Sequence, residues 1–154
     1  MPEPKHRICA LIPARYHSSR LPGKPLLKIG DKTIIQRTYE QTVKSKLIDS
    51  VYVVTDDDRI IDHIKQIGGN IIKVDEECLN GTERICKTLD TLDKKYDIVV
   101  NVQGDEPFIE PENIDFAIQK YLEHESDPLM VCTTIHTKLI DENDINGRTI
   151  GKMV

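Results

Sequence analysis

A chain of 154 residues, 38% hydrophobic and 31% charged, fits one compact soluble domain burying roughly 70% of its unfolded surface, and excludes disorder, collagen and coiled coil. With 21 Lys and Arg against 26 Asp and Glu the formal charge is −5, so neither nucleic acid nor an anionic membrane is an expected partner. The apolar runs fall far short of a membrane span, and the cysteines Cys9, Cys78, Cys86 and Cys132 form no C-x-x-C pair, which predicts a cytoplasmic chain without disulfides or structural zinc.

In chain order, the first apolar run, 7–12, reads as a strand, and Cys9 within it as a small hydrophobe. After a basic loop, Thr33-Ile34-Ile35-Gln36 has the form of a capping box and opens a helix running to about Lys44. A second strand is predicted over 50–55. Asp56 is placed to cap the next helix, with Ile60, Ile61, Ile64 and Ile67 as its buried stripe and Gly68-Gly69 as its stop. A third strand follows at 70–74. Asn80 with Glu83 three residues on marks another helix start, leading to Ile85, Thr88, Leu89 and Leu92. The fourth strand is predicted over 97–102, and Glu110-Pro111 places proline at the first position of a helix carrying Ile114, Phe116, Ala117, Ile118, Tyr121 and Leu122. A fifth strand is predicted over 129–135, burying Cys132. Strands apolar on both faces and separated by helices indicate an α/β fold with a mostly parallel sheet. A polar connection, 138–149, then leads to Ile150-Gly151-Lys152-Met153-Val154, which looks like the start of a further strand. The chain is therefore expected to be one domain, 1–154, truncated relative to its relatives.

Ligands of parallel α/β sheets bind beyond the carboxyl ends of the strands. After the first strand stands Pro13-Ala14-Arg15-Tyr16-His17-Ser18-Ser19-Arg20-Leu21-Pro22-Gly23-Lys24-Pro25. Arg15, Arg20 and Lys24 could neutralise a polyanion while N–H groups near Ser18, Ser19 and Gly23 donate to its oxygens. The alternative is a solvated connection. It is not a Walker A loop, because Ser18 stands where that motif needs glycine and Pro25 where it needs Ser or Thr. No G-x-G-x-x-G supports a dinucleotide. The fourth strand runs into Gln103-Gly104-Asp105-Glu106-Pro107. Asp105 facing a triphosphate would suit Mg²⁺, which takes one or two carboxylates and leaves its other positions to water and phosphate; an ordinary turn is the alternative. The acids Asp56, Asp57 and Asp58 are better explained as a helix start than as a cation site. Asn80-Gly81-Thr82-Glu83-Arg84 reads either as a cap or as a segment whose Thr82 and Arg84 meet a nucleobase edge. His17, His63, His124 and His136 have no metal-ligand spacing and His6 lies in the N-terminal segment, so surface or packing roles are expected for all five.

Together these segments resemble the cytidylyltransferases that activate 3-deoxy-D-manno-octulosonate (KDO), the CMP-KDO synthetases. The resemblance rests on Ile12-Pro13-Ala14-Arg15-Tyr16, Ser18, Arg20-Leu21-Pro22-Gly23-Lys24-Pro25, Val54-Thr55-Asp56, Gly81-Thr82-Glu83-Arg84 and Asn101-Val102-Gln103-Gly104-Asp105-Glu106-Pro107, in order and spacing from residue 7 to about 136. It implies a Rossmann-like nucleotide-diphospho-sugar transferase fold and transfer of CMP from CTP to KDO, releasing pyrophosphate, for lipopolysaccharide-type glycans. Arg15 and Lys24 are then expected at the triphosphate, with Ala14, Ser18 and Arg20 in the same CTP-binding loop. Asp105 is expected at Mg²⁺, Thr82 and Arg84 near the cytosine, and Gln103 near the sugar acid. Asn80 departs from the Ser common in that family. The family is also homodimeric and continues well beyond this length, with a second metal-binding aspartate, most of the sugar-acid pocket and much of the dimer interface. Two alternatives stand beside this reading: a cytidylyltransferase for sialic or another nonulosonic acid, and a catalytically impaired nucleotide-binding remnant.

Overall fold

The protein is described here from a computed structural model covering residues 6–17, 21–92 and 96–135. Its first strand, β1 (Ile8–Pro13), is buried along its whole length because it has a parallel strand on each side and helices over both faces. The chain then passes through a single 3₁₀ turn, Lys24–Leu26, and a small antiparallel hairpin of β2 (Lys28–Ile29) and β3 (Lys32–Thr33). The hairpin is absent from the sequence reading, since two-residue strands leave no periodicity to detect. α1 (Ile34–Val43) begins where expected, and the Thr33 hydroxyl oxygen accepts the Gln36 N–H at 3.2 Å. Only half the expected box forms, because the Gln36 amide turns to Glu40 at 2.9 Å.

β4 (Ser50–Thr55) pairs with β1. α2 (Asp58–Gln66) buries Ile60, Ile61 and Ile64, each worth about 1.5–3 kcal/mol of hydrophobic transfer. Its cap is Asp57 rather than the expected Asp56: the Asp57 carboxylate accepts the Arg59 N–H at 3.0 Å, while Asp56 is taken by Arg84. β5 (Ile71–Lys73) pairs with β4, α3 (Gly81–Leu89) follows, and β6 (Ile98–Asn101) returns to pair with the other edge of β1. α4 (Pro111–Glu123) has Pro111 at its start and buries Ile114 and Ile118, while Phe116 lies on the exposed side.

The sheet order is therefore β5-β4-β1-β6, all parallel. Alternate residues of β1 feed two cores. Ile8, Ala10 and Ile12 pack with Ile35, Ile60, Ile64, Ile114 and Ile118, from α1, α2 and α4. Cys9 and Leu11 pack on the other face with Val74, Cys78 and Ile85, the last from α3. This is the expected α/β layering, with helices on both faces. The fifth strand is not formed: residues 129–135 are irregular, Leu129 and Val131 are exposed, and so is Cys132. The expected strand start at 150–154 lies outside the described residues. Among the described residues no helix is long and apolar enough to cross a membrane.

Candidate active site

Strand order reverses at β1. The chain moves outward through β4 to β5, then comes back to place β6 on the opposite side. Neighbouring connections leave such a switch point in opposite directions, so a crevice opens beyond the strand ends there. A cavity of about 420 Å³ occupies this position, within the range of small-ligand pockets. Its walls come from the end of β1 (Pro13, Ala14, Arg15), the turn at Lys24, the first residue of α3 (Gly81) and the segment after β6 (Gln103, Asp105).

The geometry of these walls follows from close backbone contacts. Ala14 N–H donates to the Val54 carbonyl at 2.9 Å, extending the sheet one residue past the strand. A Cβ on Gly104 would lie 2.6 Å from the Pro13 carbonyl oxygen, so the ends of β1 and β6 can approach this closely only with glycine there. The Thr38 hydroxyl of α1, buried beneath, reaches the Gly104 carbonyl at 3.3 Å. On the basic side, Gly23 has φ of 72°, a left-handed conformation, and donates its N–H to the Tyr16 carbonyl at 2.8 Å. The Tyr16 ring packs against Gly23, and the Arg59 guanidinium lies 3.2 Å from the ring centroid. Arg59 is itself fixed by a two-pronged contact to Asp57 at 2.9 and 2.6 Å, which holds the Asp57 carboxyl below its usual range. Gly23 is thereby pinned, and Lys24 follows directly.

Lys24 Nζ donates to Asp105 Oδ2 at 2.6 Å, a cation and an anion delivered from the two sides of the switch point. Arg15 donates to the Leu79 carbonyl at 2.8 Å, tying the loop after β1 to the approach to α3. The Gln103 amide donates to Asn101 Oδ1 at 3.1 Å. Ala14, Arg15, Lys24, Gln103 and Asp105 are thus brought to one cavity. Thr82 is exposed in the first turn of α3, beside Gly81 but not on the cavity wall. Arg84 is elsewhere: it is 1% exposed, donates to Asp56 Oδ2 at 2.9 Å, and has its Nε buried without a partner. Ser18 and Arg20 lie outside the described residues. The sequence reading missed Gly104, whose signal was a glycine between a buried strand and an acid, and the Leu79 carbonyl, which carries no sequence signal.

Asp105 gives the cavity one metal-seeking carboxylate, and no cluster of three His, Cys, Asp or Glu side chains able to hold an ion occurs among the described residues. A single carboxylate is a donor set for a divalent cation carried in with phosphate oxygens and water.

Residues 9–146 match the sequence family described as cytidylyltransferase. The mitochondrial 3-deoxy-manno-octulosonate cytidylyltransferase of Arabidopsis thaliana is 44% identical over 95% of this chain and 49% of its own length. The 3-deoxy-manno-octulosonate cytidylyltransferase of Christiangramia forsetii is 43% identical over all of this chain and 61% of its own. The solved structure of CMP:2-keto-3-deoxy-manno-octonic acid synthetase complexed with CTP superimposes with a TM-score of 0.72 at 37% identity, over 80% of this chain and 49% of that one. The chain spans about half to three fifths of the length of these relatives. By the match that covers most of its residues, and by a crevice built where the fold places nucleotides, the chain belongs to the cytidylyltransferase family.

Proposed function

We propose that this chain is the CTP-binding portion of a CMP-KDO synthetase, which transfers CMP from CTP to KDO and releases pyrophosphate for lipopolysaccharide-type glycans. The observation that carries the reading is the meeting of Lys24 and Asp105 at 2.6 Å across the switch-point cavity. The relatives' names favour KDO over sialic acid as the acceptor.

In this reading Lys24 and Arg15 bind the triphosphate, with Ala14, Ser18 and Arg20 supplying further loop contacts. As pyrophosphate departs, charge builds on the oxygen bridging the α- and β-phosphorus atoms. Arg15, held by the Leu79 carbonyl, and Lys24, once its ammonium turns from Asp105 to phosphate, offset that charge. Asp105 would hold Mg²⁺, which would supply Lewis-acid polarisation of phosphate oxygen. Thr82 borders the cytosine, and Gln103, oriented by Asn101, borders the sugar acid. Arg84 acts indirectly, by anchoring α3 to Asp56 beneath Gly81 and Thr82. One domain spanning 1–154, a homodimeric assembly and a cytoplasmic setting, supported by the free cysteines and the demand for CTP, belong to the same proposal.

A second reading is nucleotide binding without turnover. Calorimetry with CTP and Mg²⁺, followed by a pyrophosphate-release assay with KDO, separates the two. Binding with release supports the transferase, binding alone supports the remnant, and a folded sample that binds no CTP overturns both.

A further inference from the structure

The turn that carries Lys24 is held from outside the cavity. Arg59, in the first turn of α2, does not line that cavity, yet both the edge and the face of its guanidinium are committed. The edge meets the Asp57 carboxylate at 2.9 and 2.6 Å, and the face lies 3.2 Å from the centroid of the Tyr16 ring. Asp57 is fixed in turn, its N–H donating at 3.2 Å to the hydroxyl of Thr55, buried at the end of β4. The ring then seats against Gly23, where a Cβ would lie 3.1 Å from its nearest carbon, and Gly23 N–H donates to the Tyr16 carbonyl at 2.8 Å. The Arg59 side chain is 53% exposed, and an ion pair in that setting adds little to stability. Its contacts nonetheless run unbroken from the end of β4 to the residue before Lys24.

We propose that Arg59 is a positioning residue for the triphosphate, acting through Tyr16 and Gly23 to fix the backbone from which Lys24 reaches the cavity. The inference rests on the nucleotide reading and adds to it a residue from another element. On that reading the Lys24 ammonium turns from Asp105 to phosphate. A turn about a fixed Cα leaves affinity intact, whereas a loop ordered only on binding subtracts the entropy of its ordering. The guanidinium is suited to this part because its edge and its face bind different partners at once. A lysine at position 59 would keep the charge but not the role, since one compact ammonium can meet the carboxylate or the ring and not both. That difference separates positioning from long-range attraction of a cation to the triphosphate, which an ammonium would supply equally well.

The test pairs calorimetric titration of the whole chain with CTP in Mg²⁺ with amide hydrogen exchange of the ligand-free protein. Arg59→Lys and Arg59→Met are expected to weaken CTP binding alike, by about three- to ten-fold, with thermal midpoints close to that of wild type. Tyr16→Leu is expected to weaken binding to a similar extent, and Tyr16→Phe, which keeps the ring, to recover most of the loss. Adding Arg59→Lys to Tyr16→Leu is expected to cost less than about two-fold more, because the two residues act in series. Without ligand, Arg59→Lys is expected to speed exchange at the Gly23 amide by about three-fold or more and to leave that of Ala10, buried in β1, unchanged. Wild-type CTP affinity in Arg59→Lys overturns the proposal, as does unchanged Gly23 exchange. A loss in Arg59→Met that Arg59→Lys is spared gives Arg59 a purely electrostatic part and overturns it too. Wild-type protein that binds no CTP sinks the nucleotide reading instead, and the exchange arm, which needs no ligand, still decides whether Arg59 holds Gly23.

Discussion

Gly104 decides how near the tips of β1 and β6 can come, and so how wide the crevice is between Lys24 and Asp105. The atom that a Cβ would meet, 2.6 Å away, is the Pro13 carbonyl oxygen, part of the backbone and unable to swing aside. Gly104→Ala is therefore expected to cost about 1–3 kcal/mol in urea unfolding and to weaken CTP binding by pushing Asp105 off the cavity wall; an unchanged midpoint would show that the tips have room. Arg84 is the residue whose role the sequence obscured. Its place beside Thr82 suggested a nucleobase contact, but helix phase puts it with Ile85 and Thr88 on the buried face of α3. The spacing of Arg84, Ile85 and Thr88 along α3 already places the three on one face. Arg84→Met leaves Asp56 without its cation and is expected to destabilise the fold by about 1–3 kcal/mol, with CTP binding reduced only as far as α3 shifts; equal melting curves for variant and wild type would remove Arg84 from its anchoring role.

Among the elements, the helices were the most legible because their starts are chemical as well as periodic. Thr33, Asn80 and Pro111 stand where the sequence placed them, and Asn80 Oδ1 accepts the Glu83 N–H at 2.9 Å while the Glu83 carboxylate accepts the Leu79 N–H at 2.7 Å. The one-residue slip from Asp56 to Asp57 could not be seen locally, since it depends on an arginine 28 positions later. One contact between elements carries a titratable imidazole. His63 Nε2 of α2 shares a hydrogen bond of 2.7 Å with the Thr33 hydroxyl, whose oxygen also accepts the Gln36 N–H of α1. Burial, aided by Lys28, lowers the His63 pKa from its ordinary 6.5. The unfolded chain then takes the proton first, so this stabilisation is complete above the unfolded pKa and is lost as pH falls through the folded one. Wild type is expected to lose more thermal stability than His63→Gln between about pH 7.5 and about pH 5; identical losses would show that His63 does not carry the acid sensitivity.

At the scale of the whole molecule, the parallel sheet was legible from strands apolar on both faces, but the fate of 129–135 was not. Its composition is that of a buried strand, and composition says nothing about crossover handedness. α1 and α2 cover one face on the way from β1 out to β5 and α3 covers the other on the way back to β6, the change of face that right-handed connections in both directions require. α4 packs on the α1 face, so a parallel strand laid directly on the open edge of β6 from its end would need the disfavoured left-handed connection. Instead 131–135 lines a cavity of about 510 Å³ with β6 and α4, and the Thr133 hydroxyl donates to the Ala117 carbonyl at 3.0 Å. The four cysteines report on this arrangement together. Cys9 sits in the central strand with its thiol pushed up to about 11 by burial, so it reacts only when the sheet opens. Cys78 is buried at the α3 side, whereas Cys86 and Cys132 are exposed. Labelling the native protein with a thiol-specific disulfide reagent is expected to modify Cys86 and Cys132 rapidly, while Cys78 and Cys9 wait for local and global opening. Mass mapping of the labelled peptides reads each site. Cys132 protected as strongly as Cys9 would mean that 129–135 is held as a buried strand after all, and the handedness argument would fail with it.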